Sequence, residues 1–198
     1  MKIINAQQMK AVDAFTIQNK PISSIDLMEK AAEECSKWIM AHFDNRYDFH
    51  VFCGTGNNGG DGLAIARILK QKLYPVTVYI KKSDSYSEDF ESNLELWQDN
   101  KGRTVTLEKN TDFNFQFQKN SIIIDALLGY GLNRPLTGFE AALVKSINSL
   151  HHKTISIDLP SGLFANDNSN NTYDTIINAD YTLTFELQKL ALLLPDNQ

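Results

Sequence analysis

From Phe49 onward the chain alternates short runs rich in β-branched and aromatic residues (FHVFC, VTVYI, TVTL, SIIID, TISID, YTLTF) with helically spaced segments around 61–73, 88–99 and 138–150. That alternation constrains the fold most, because parallel strands need long crossovers and helices usually fill them. It predicts a three-layer, Rossmann-like α/β fold: a mostly parallel sheet with helices on both faces and right-handed crossovers. Two N-terminal helices are expected before the first strand. In the second, Met28, Ala31, Ala32, Cys35, Trp38, Ile39 and Phe43 share one helical face, which predicts packing against the sheet. Ser23 or Ser24 with Asp26 supplies its N-terminal cap signal. Residues 108–120 (EKNTDFNFQFQKN) show no firm period and read as a loop or edge segment, and residues 166–174 (NDNSNNTYD) read as an exposed loop. No repeat or interdomain linker breaks the 198 residues, so a single domain over 1–198 is expected.

Composition narrows the function classes. The 42% hydrophobic and 22% charged content is that of an ordinary globular chain. No apolar run approaches the roughly 18 residues of a spanning helix, and MKIINAQQMKAVDAF lacks the basic-then-apolar order of a signal peptide. The expectation is a cytoplasmic protein without a membrane partner. Cys35 and Cys53 are too few for a disulfide framework or a thiolate metal site and read as small buried side chains in a reducing compartment. A net charge of −5 argues against a nucleic-acid partner, which usually needs a basic stripe. Any anionic ligand must be held locally.

A local anion site is written after FHVFC. Gly54, Gly56 and Gly59 satisfy G-x-G-x-x-G spacing within GTGNNGGDG, between a strand and the helical run LAIARILK. Missing Cβ atoms let backbone approach a pyrophosphate, and the helix start offers N–H groups and the positive end of its dipole. A dehydrogenase usually carries an acid at the end of the second strand to bind ribose hydroxyls, whereas VTVYI here runs into Lys81 and Lys82, read as a solvated strand end. The dinucleotide therefore lies differently from that in a dehydrogenase.

Two acids end later strands. Asp125 closes SIIID before ALLGYGLNRPLTG, and Asp158 closes TISID before LPSGL. Ligands of open parallel sheets bind beyond the carboxyl ends of the strands, so both acids are expected in one crevice with the first glycine turn. Arg134 is a candidate for bidentate phosphate contact. Asn58, Asp125 and Ser161 supply hard oxygen donors that together suit a cation, and one carboxylate favours a monovalent ion. Zinc is not expected: His42, His50, His151 and His152 lack ligand spacing and read as solvated or strand-edge residues.

In order and separation, GTGNNGGDG, DALLGYGL, DLPSGL and TLTFELQKLALLLP, with LMEKAA on an upstream helix, resemble the motifs of the NAD(P)HX epimerase (YjeF N-terminal) family over essentially the whole chain. The resemblance implies metabolite repair: interconversion of the R and S epimers of hydrated NADH and NADPH, NADHX and NADPHX. It implies substrate contacts at Asn57, Asn58, Gly59, Gly60 and Asp61, at Gly129, Tyr130, Gly131, Leu132, Asn133, Arg134 and Pro135, and at Asp158. It also implies a potassium ion held by Asn58, Asp125 and Ser161. Epimerising a carbon that bears both hydroxyl and nitrogen needs a proton donor and acceptor to expel and readd water. Asp125 is the first candidate and Lys189 the second, although ion ligand and proton shuttle compete as roles for Asp125. Glu186, Leu187 and Gln188 precede Lys189 where the family usually has a proline just before the lysine. The family pattern also continues beyond LLLPDNQ with a last strand and, in many bacteria, a fused dehydratase domain, of which this sequence shows no trace.

A noncatalytic Rossmann-like binding or scaffold module is the alternative, since fold alone does not decide function. An oxidoreductase using intact NAD(P) is a third reading, disfavoured by the missing second-strand acid. Homodimerisation through the two N-terminal helices is a further expectation.

Overall fold

A computed structural model describes residues 3–4, 8, 11–12, 15, 19, 22–109, 111–185 and 187–194. The elements are β1 (Ile3–Ile4), α1 (Ser24–His42), β2 (Asp48–Cys53), α2 (Asn57–Gln71), β3 (Val76–Lys81), α3 (Glu88–Asp99), β4 (Arg103–Leu107), β5 (Ser121–Ala126), α4 (Gly138–Ser149), β6 (Lys153–Ile157), β7 (Tyr181–Leu183) and β8 (Gln188–Lys189). The first of the two expected N-terminal helices lies largely outside the described residues. Among the described residues, no helix is long and apolar enough to cross a membrane.

Six strands form one parallel sheet in the order β4-β3-β2-β5-β6-β7. A second, two-stranded parallel pair joins β1 to β8 and sets Ile4 opposite Lys189. Strand alternation decides the layers. Phe49, Val51 and Cys53 of β2 point to the face covered by α1, α2 and α3, while Phe52 points to the face carrying α4. This is the expected three-layer arrangement. Leu63, Ile65 and Leu69 of α2 are fully buried between the sheet and the flanking helices. The side chain of Ser23 accepts from the Asp26 amide, which confirms the cap signal of α1. This helix packs chiefly along α2, not flat on the sheet as its periodicity implied. At its C-terminal cap Phe43 meets Phe49 of β2 edge-on.

The helix after the glycine motif starts at Asn57, four residues before the expected 61, so that NNGGDG is helical. Glycine costs a helix about 1 kcal/mol relative to alanine, and close packing overrides that preference here. A Cβ on Gly59 would lie 2.2 Å from the Gly54 carbonyl oxygen, and one on Gly62 would lie 2.6 Å from Ala126 Cβ and 2.9 Å from Cys53 Sγ. These residues let the first turns of α2 sit directly on the ends of β2 and β5.

The connection from β4 to β5 must cross from the sheet edge over β3 and β2. Its described residues form no helix. Phe113, Phe115 and Phe117 line the crossing at period two: Phe115 lies edge-on to Phe52 and Tyr79, and Phe117 stacks on His50 at 3.7 Å between centroids. The segment is therefore a cover for one sheet face and not an edge. His50, expected to be solvated, is buried beneath it, with Nδ1 3.2 Å from the Tyr79 hydroxyl and Nε2 3.2 Å from Ser121 Oγ. Burial pushes its imidazole down to about 4, which keeps it neutral at physiological pH.

The polar loop at 166–174 is likewise more than surface. Asn168 is buried, accepts from the Phe164 amide and from Asn171 Nδ2, and donates back to the Phe164 carbonyl. Asn171 Nδ2 also donates to the Gly162 carbonyl at 2.8 Å. Asparagine side chains thus replace regular secondary structure around Leu159, Leu163 and Ala165. Both cysteines are buried, as composition implied, and burial together with the Asp61, Asp158 and Glu34 charges pushes the Cys35 thiol up to about 12.

Gly62→Val tests the packing argument. The branched side chain should lose about 1–3 kcal/mol through overpacking, read as a lower urea midpoint with an unchanged slope. An unchanged midpoint contradicts the close contact of α2 with β2 and β5.

Candidate active site

Strand order reverses beside β2: the chain leaves β2 toward β3 on one side and reaches β5 and β6 on the other. The crevice beyond the C-terminal ends of β2, β5 and β6 is therefore the place where a parallel sheet of this kind binds ligands. The glycine turn is fixed to β5 by a bond from the Gly54 amide to the Ala126 carbonyl, 3.0 Å. A Cβ on Gly54 would lie 1.8 Å from the Leu127 carbonyl oxygen, so these two loops touch backbone to backbone. Gly56, the N-cap of α2, makes no side-chain cap bond, and a Cβ there would meet nothing within 4 Å. Gly54 and Gly59 thus serve the turn itself, and Gly56 is the position open to a ligand. Asn57 is exposed, whereas Gly59, Gly60 and Asp61 are buried.

Asp125 has no solvent exposure. Its Oδ1 accepts from Ser161 Oγ (2.5 Å) and the Leu127 amide (3.2 Å), and its Oδ2 accepts from Ser156 Oγ (2.7 Å) and the Ser161 amide (2.8 Å). Four donors fill the four lone-pair positions of an ionised carboxylate. Burial is the largest influence and raises its titration above the usual carboxylate range, while the Ser161, Ser156 and Leu127 bonds pull the other way. Among the described residues, no basic side chain lies within ion-pair distance of it. Ser161 Oγ also accepts from the Leu128 amide at 2.9 Å, tying the loop after β5 to the loop after β6.

Asp158, at the end of β6, is held differently. Its backbone sits at φ 68°, a left-handed conformation that costs a non-glycine residue about 1–3 kcal/mol unless its surroundings impose it. Its amide donates to the Leu183 carbonyl at 2.8 Å. The carboxylate Oδ1 meets Lys189 Nζ at 2.5 Å, and Oδ2 accepts from the Tyr130 amide at 3.1 Å. Lys189 is fully buried, and its ammonium also donates to Thr184 Oγ1 (3.0 Å) and the Phe185 carbonyl (2.9 Å). Absence of the usual proline before it does not keep this lysine out of the crevice.

Gly129 joins the parts. A Cβ there would lie 3.0 Å from Asp158 Oδ2 and 3.5 Å from Asn58 Oδ1, which brings the first turn of α2, the loop after β5 and the end of β6 to one point. Asn58 Nδ2 is buried there without a hydrogen-bond partner among the described residues. Gly131, Asn133 and Arg134 form an exposed rim, with Leu132 and Pro135 half-buried. Lys81 does not end in solvent as expected: it pairs with Glu140 and lines a narrow cleft with Gly54, Thr55, Leu127 and Leu128. Lys82 is exposed and pairs with Glu108. A wider groove of about 610 Å³ lies elsewhere, between Lys109, Phe113 and the outer side of α4, with none of these strand ends in its wall.

Sequence reasoning missed Ser156 and Thr184. Ser156 stands directly opposite Asp125 in the β5–β6 register. The available signal was a hydroxyl inside the otherwise apolar run TISI.

The family described as YjeF-related protein N-terminus matches residues 24–191. A NAD(P)H-hydrate epimerase of Limosilactobacillus fermentum is 33% identical over 199 residues, covering 98% of this chain and 90% of that protein. A bifunctional NAD(P)H-hydrate repair enzyme Nnr of Moorella thermoacetica is 32% identical over 98% of this chain, which spans only 38% of that protein's length. The crystal structure of yeast ynu0, YNL200c, superposes with a TM-score of 0.83 at 19% identity, covering 100% of this chain and 86% of the yeast chain, and so shares the fold. Matched along most of its length by the family and by relatives above 30% identity, the chain belongs to the YjeF-related protein N-terminus family.

Proposed function

We propose that this chain interconverts the R and S epimers of hydrated NADH and NADPH in nicotinamide nucleotide repair. The observation that carries the reading is the buried Asp158–Lys189 pair, whose second carboxylate oxygen lies against Gly129 and Asn58 beside the start of α2. The pyrophosphate belongs at Asn57–Asp61, where the helix N-terminus favours negative charge by about 0.3–1 kcal/mol per charge. The rim from Gly129 to Pro135 then covers the ring bearing the hydroxyl. The relatives named NAD(P)H-hydrate epimerase favour this over a scaffold. A scaffold would also have no use for a strained, buried aspartate–lysine pair at the strand ends.

The proton is assigned to Asp158. Asp125 is as buried, but both its oxygens are fully occupied, whereas Asp158 Oδ2 carries one bond from Tyr130 and faces the gap left by Gly129. In the forward direction the proton that Lys189 and Asp158 share is passed on by the Asp158 carboxyl to the substrate hydroxyl, the carbon–oxygen bond breaks, and water leaves while the ring nitrogen's lone pair forms a carbon–nitrogen double bond. Water then adds to the opposite face, and its proton returns to the Asp158–Lys189 pair by way of solvent. Lys189, its three donors all engaged, orients Asp158 and does not itself reach the substrate.

Asp125 suits a different task. A fully buried carboxylate with no basic partner among the described residues, bonded to the Ser161 hydroxyl, fits a monovalent cation such as potassium, and the buried Asn58 amide has one end without a partner among those residues. Asn58, Asp125 and Ser161 would hold it, Asp125 exchanging its longest hydrogen bond, from the Leu127 amide, for the ion and the Asn58 amide presenting oxygen after exchange of its two ends. Such an ion supplies a fixed positive charge beside the crevice. A cytoplasmic location and a homodimer made through the N-terminal helices complete the proposal.

Purified protein mixed with R-NADPHX and potassium should form the S epimer far faster than the spontaneous reaction, followed by chromatography. No acceleration by folded protein overturns the assignment. Asp158→Asn should lower kcat by about 10²–10⁴ with the fold retained, and wild-type turnover in that variant moves the proton elsewhere.

The ion is tested separately by thermal denaturation. Burial raises the Asp125 titration, so ionising it costs stability as pH rises, and a bound cation offsets that cost. Replacing choline chloride with potassium chloride should therefore raise the Tm at neutral pH. The gain should shrink as pH falls and Asp125 takes up its proton, and it should vanish at every pH in Asp125→Asn. An equal gain in the variant contradicts the site.

A further inference from the structure

Three acceptors surround the Lys189 ammonium: Asp158 Oδ1 at 2.5 Å, Thr184 Oγ1 at 3.0 Å and the Phe185 carbonyl at 2.9 Å. An ammonium has three donors, so the set is complete. Only one of the three neutralises its charge. The other two come from the residues that directly follow β7, whose last residue, Leu183, accepts the Asp158 backbone amide. The end of β7 therefore grips Asp158 twice, once through its backbone and once through Lys189.

We infer that Thr184 is a positioning residue for the epimerase reaction, which fixes the Lys189 ammonium on Asp158 and thereby aims the second Asp158 oxygen at the substrate. The inference rests on the epimerase reading of this crevice. A backbone carbonyl such as that of Phe185 is present whatever the side chain, so Thr184 is the one acceptor that sequence alone supplies besides the aspartate. Without its hydroxyl, a buried N–H loses its partner and the ammonium can turn away from Asp158. Asp158 then keeps its place in the chain, at φ 68°, but its carboxylate plane is fixed from one side only, by the Tyr130 amide.

Thr184→Val, which keeps the volume and removes the hydroxyl, should lower kcat about tenfold, the effect of roughly one charge-assisted hydrogen bond, with KM within about twofold. Thr184→Ser should restore kcat. A purely structural role would not be rescued by the smaller residue and would not spare KM. A second readout is independent of turnover: the Lys189 ammonium resonance in proton–nitrogen spectra, visible only when exchange with water is slow. It should be present in the wild type, lost in Thr184→Val and recovered in Thr184→Ser. Wild-type kcat in Thr184→Val, or an unchanged ammonium signal, overturns the inference. A wild type that does not epimerise overturns the functional reading, and the ammonium signal then decides whether Thr184 holds Lys189.

Discussion

Lys189 Nζ and Asp158 Oδ1 lie 2.5 Å apart where neither side chain meets appreciable solvent. Removing two charges from water costs several kcal/mol per ion, and their attraction compensates only when the remaining donors and acceptors are also satisfied. Here the three ammonium donors are all taken and each carboxylate oxygen accepts one bond, through Thr184, Phe185 and the Tyr130 amide. The contributors come from four stretches of chain: the loop after β5, the end of β6, the end of β7 and β8. Through β8, the pair also reaches β1, because Lys189 stands opposite Ile4. An ion pair of this kind adds little net stability over a well-packed apolar pair. What it adds is the requirement that these segments meet in one arrangement, and that arrangement is the crevice.

Asp125 supplies the complementary case. Where Asp158 has a cation and a strained backbone, Asp125 has four hydrogen bonds and no cation among the described residues. Two acids at corresponding strand ends thus receive opposite environments, and different environments are how one crevice assigns different tasks to the same chemical group. Close packing makes the crevice: Gly54 brings the turn against Leu127, and Gly59 and Gly62 bring α2 onto the strand ends.

Much of this was legible in the sequence because it is written in local patterns. The βαβ alternation gave the layers, and acids closing SIIID and TISID marked the crevice. Other parts were hidden for physical reasons. Helix periodicity placed the start of α2 near residue 61, yet tertiary packing carries the helix back through four glycine-rich residues to Asn57. The phenylalanines at 113, 115 and 117 do alternate, but with polar residues between them and no strand pairing they looked like loop, and only the missing crossover helix explains their spacing. Asn168 is a buried turn organiser whose composition is indistinguishable from that of an exposed loop. Nothing in the local sequence marks Lys189 as buried, since burial of a lysine depends on a counter-charge brought from 31 residues away.

A double-mutant cycle on Asp158→Asn and Lys189→Met, read by urea denaturation, tests the central claim that this pair is coupled and buried. Lys189→Met alone should cost about 3–5 kcal/mol, because it leaves a carboxylate uncompensated, and the double variant should recover most of that loss. If the two single losses simply add, Asp158 and Lys189 do not depend on each other, and the pair does not organise the crevice.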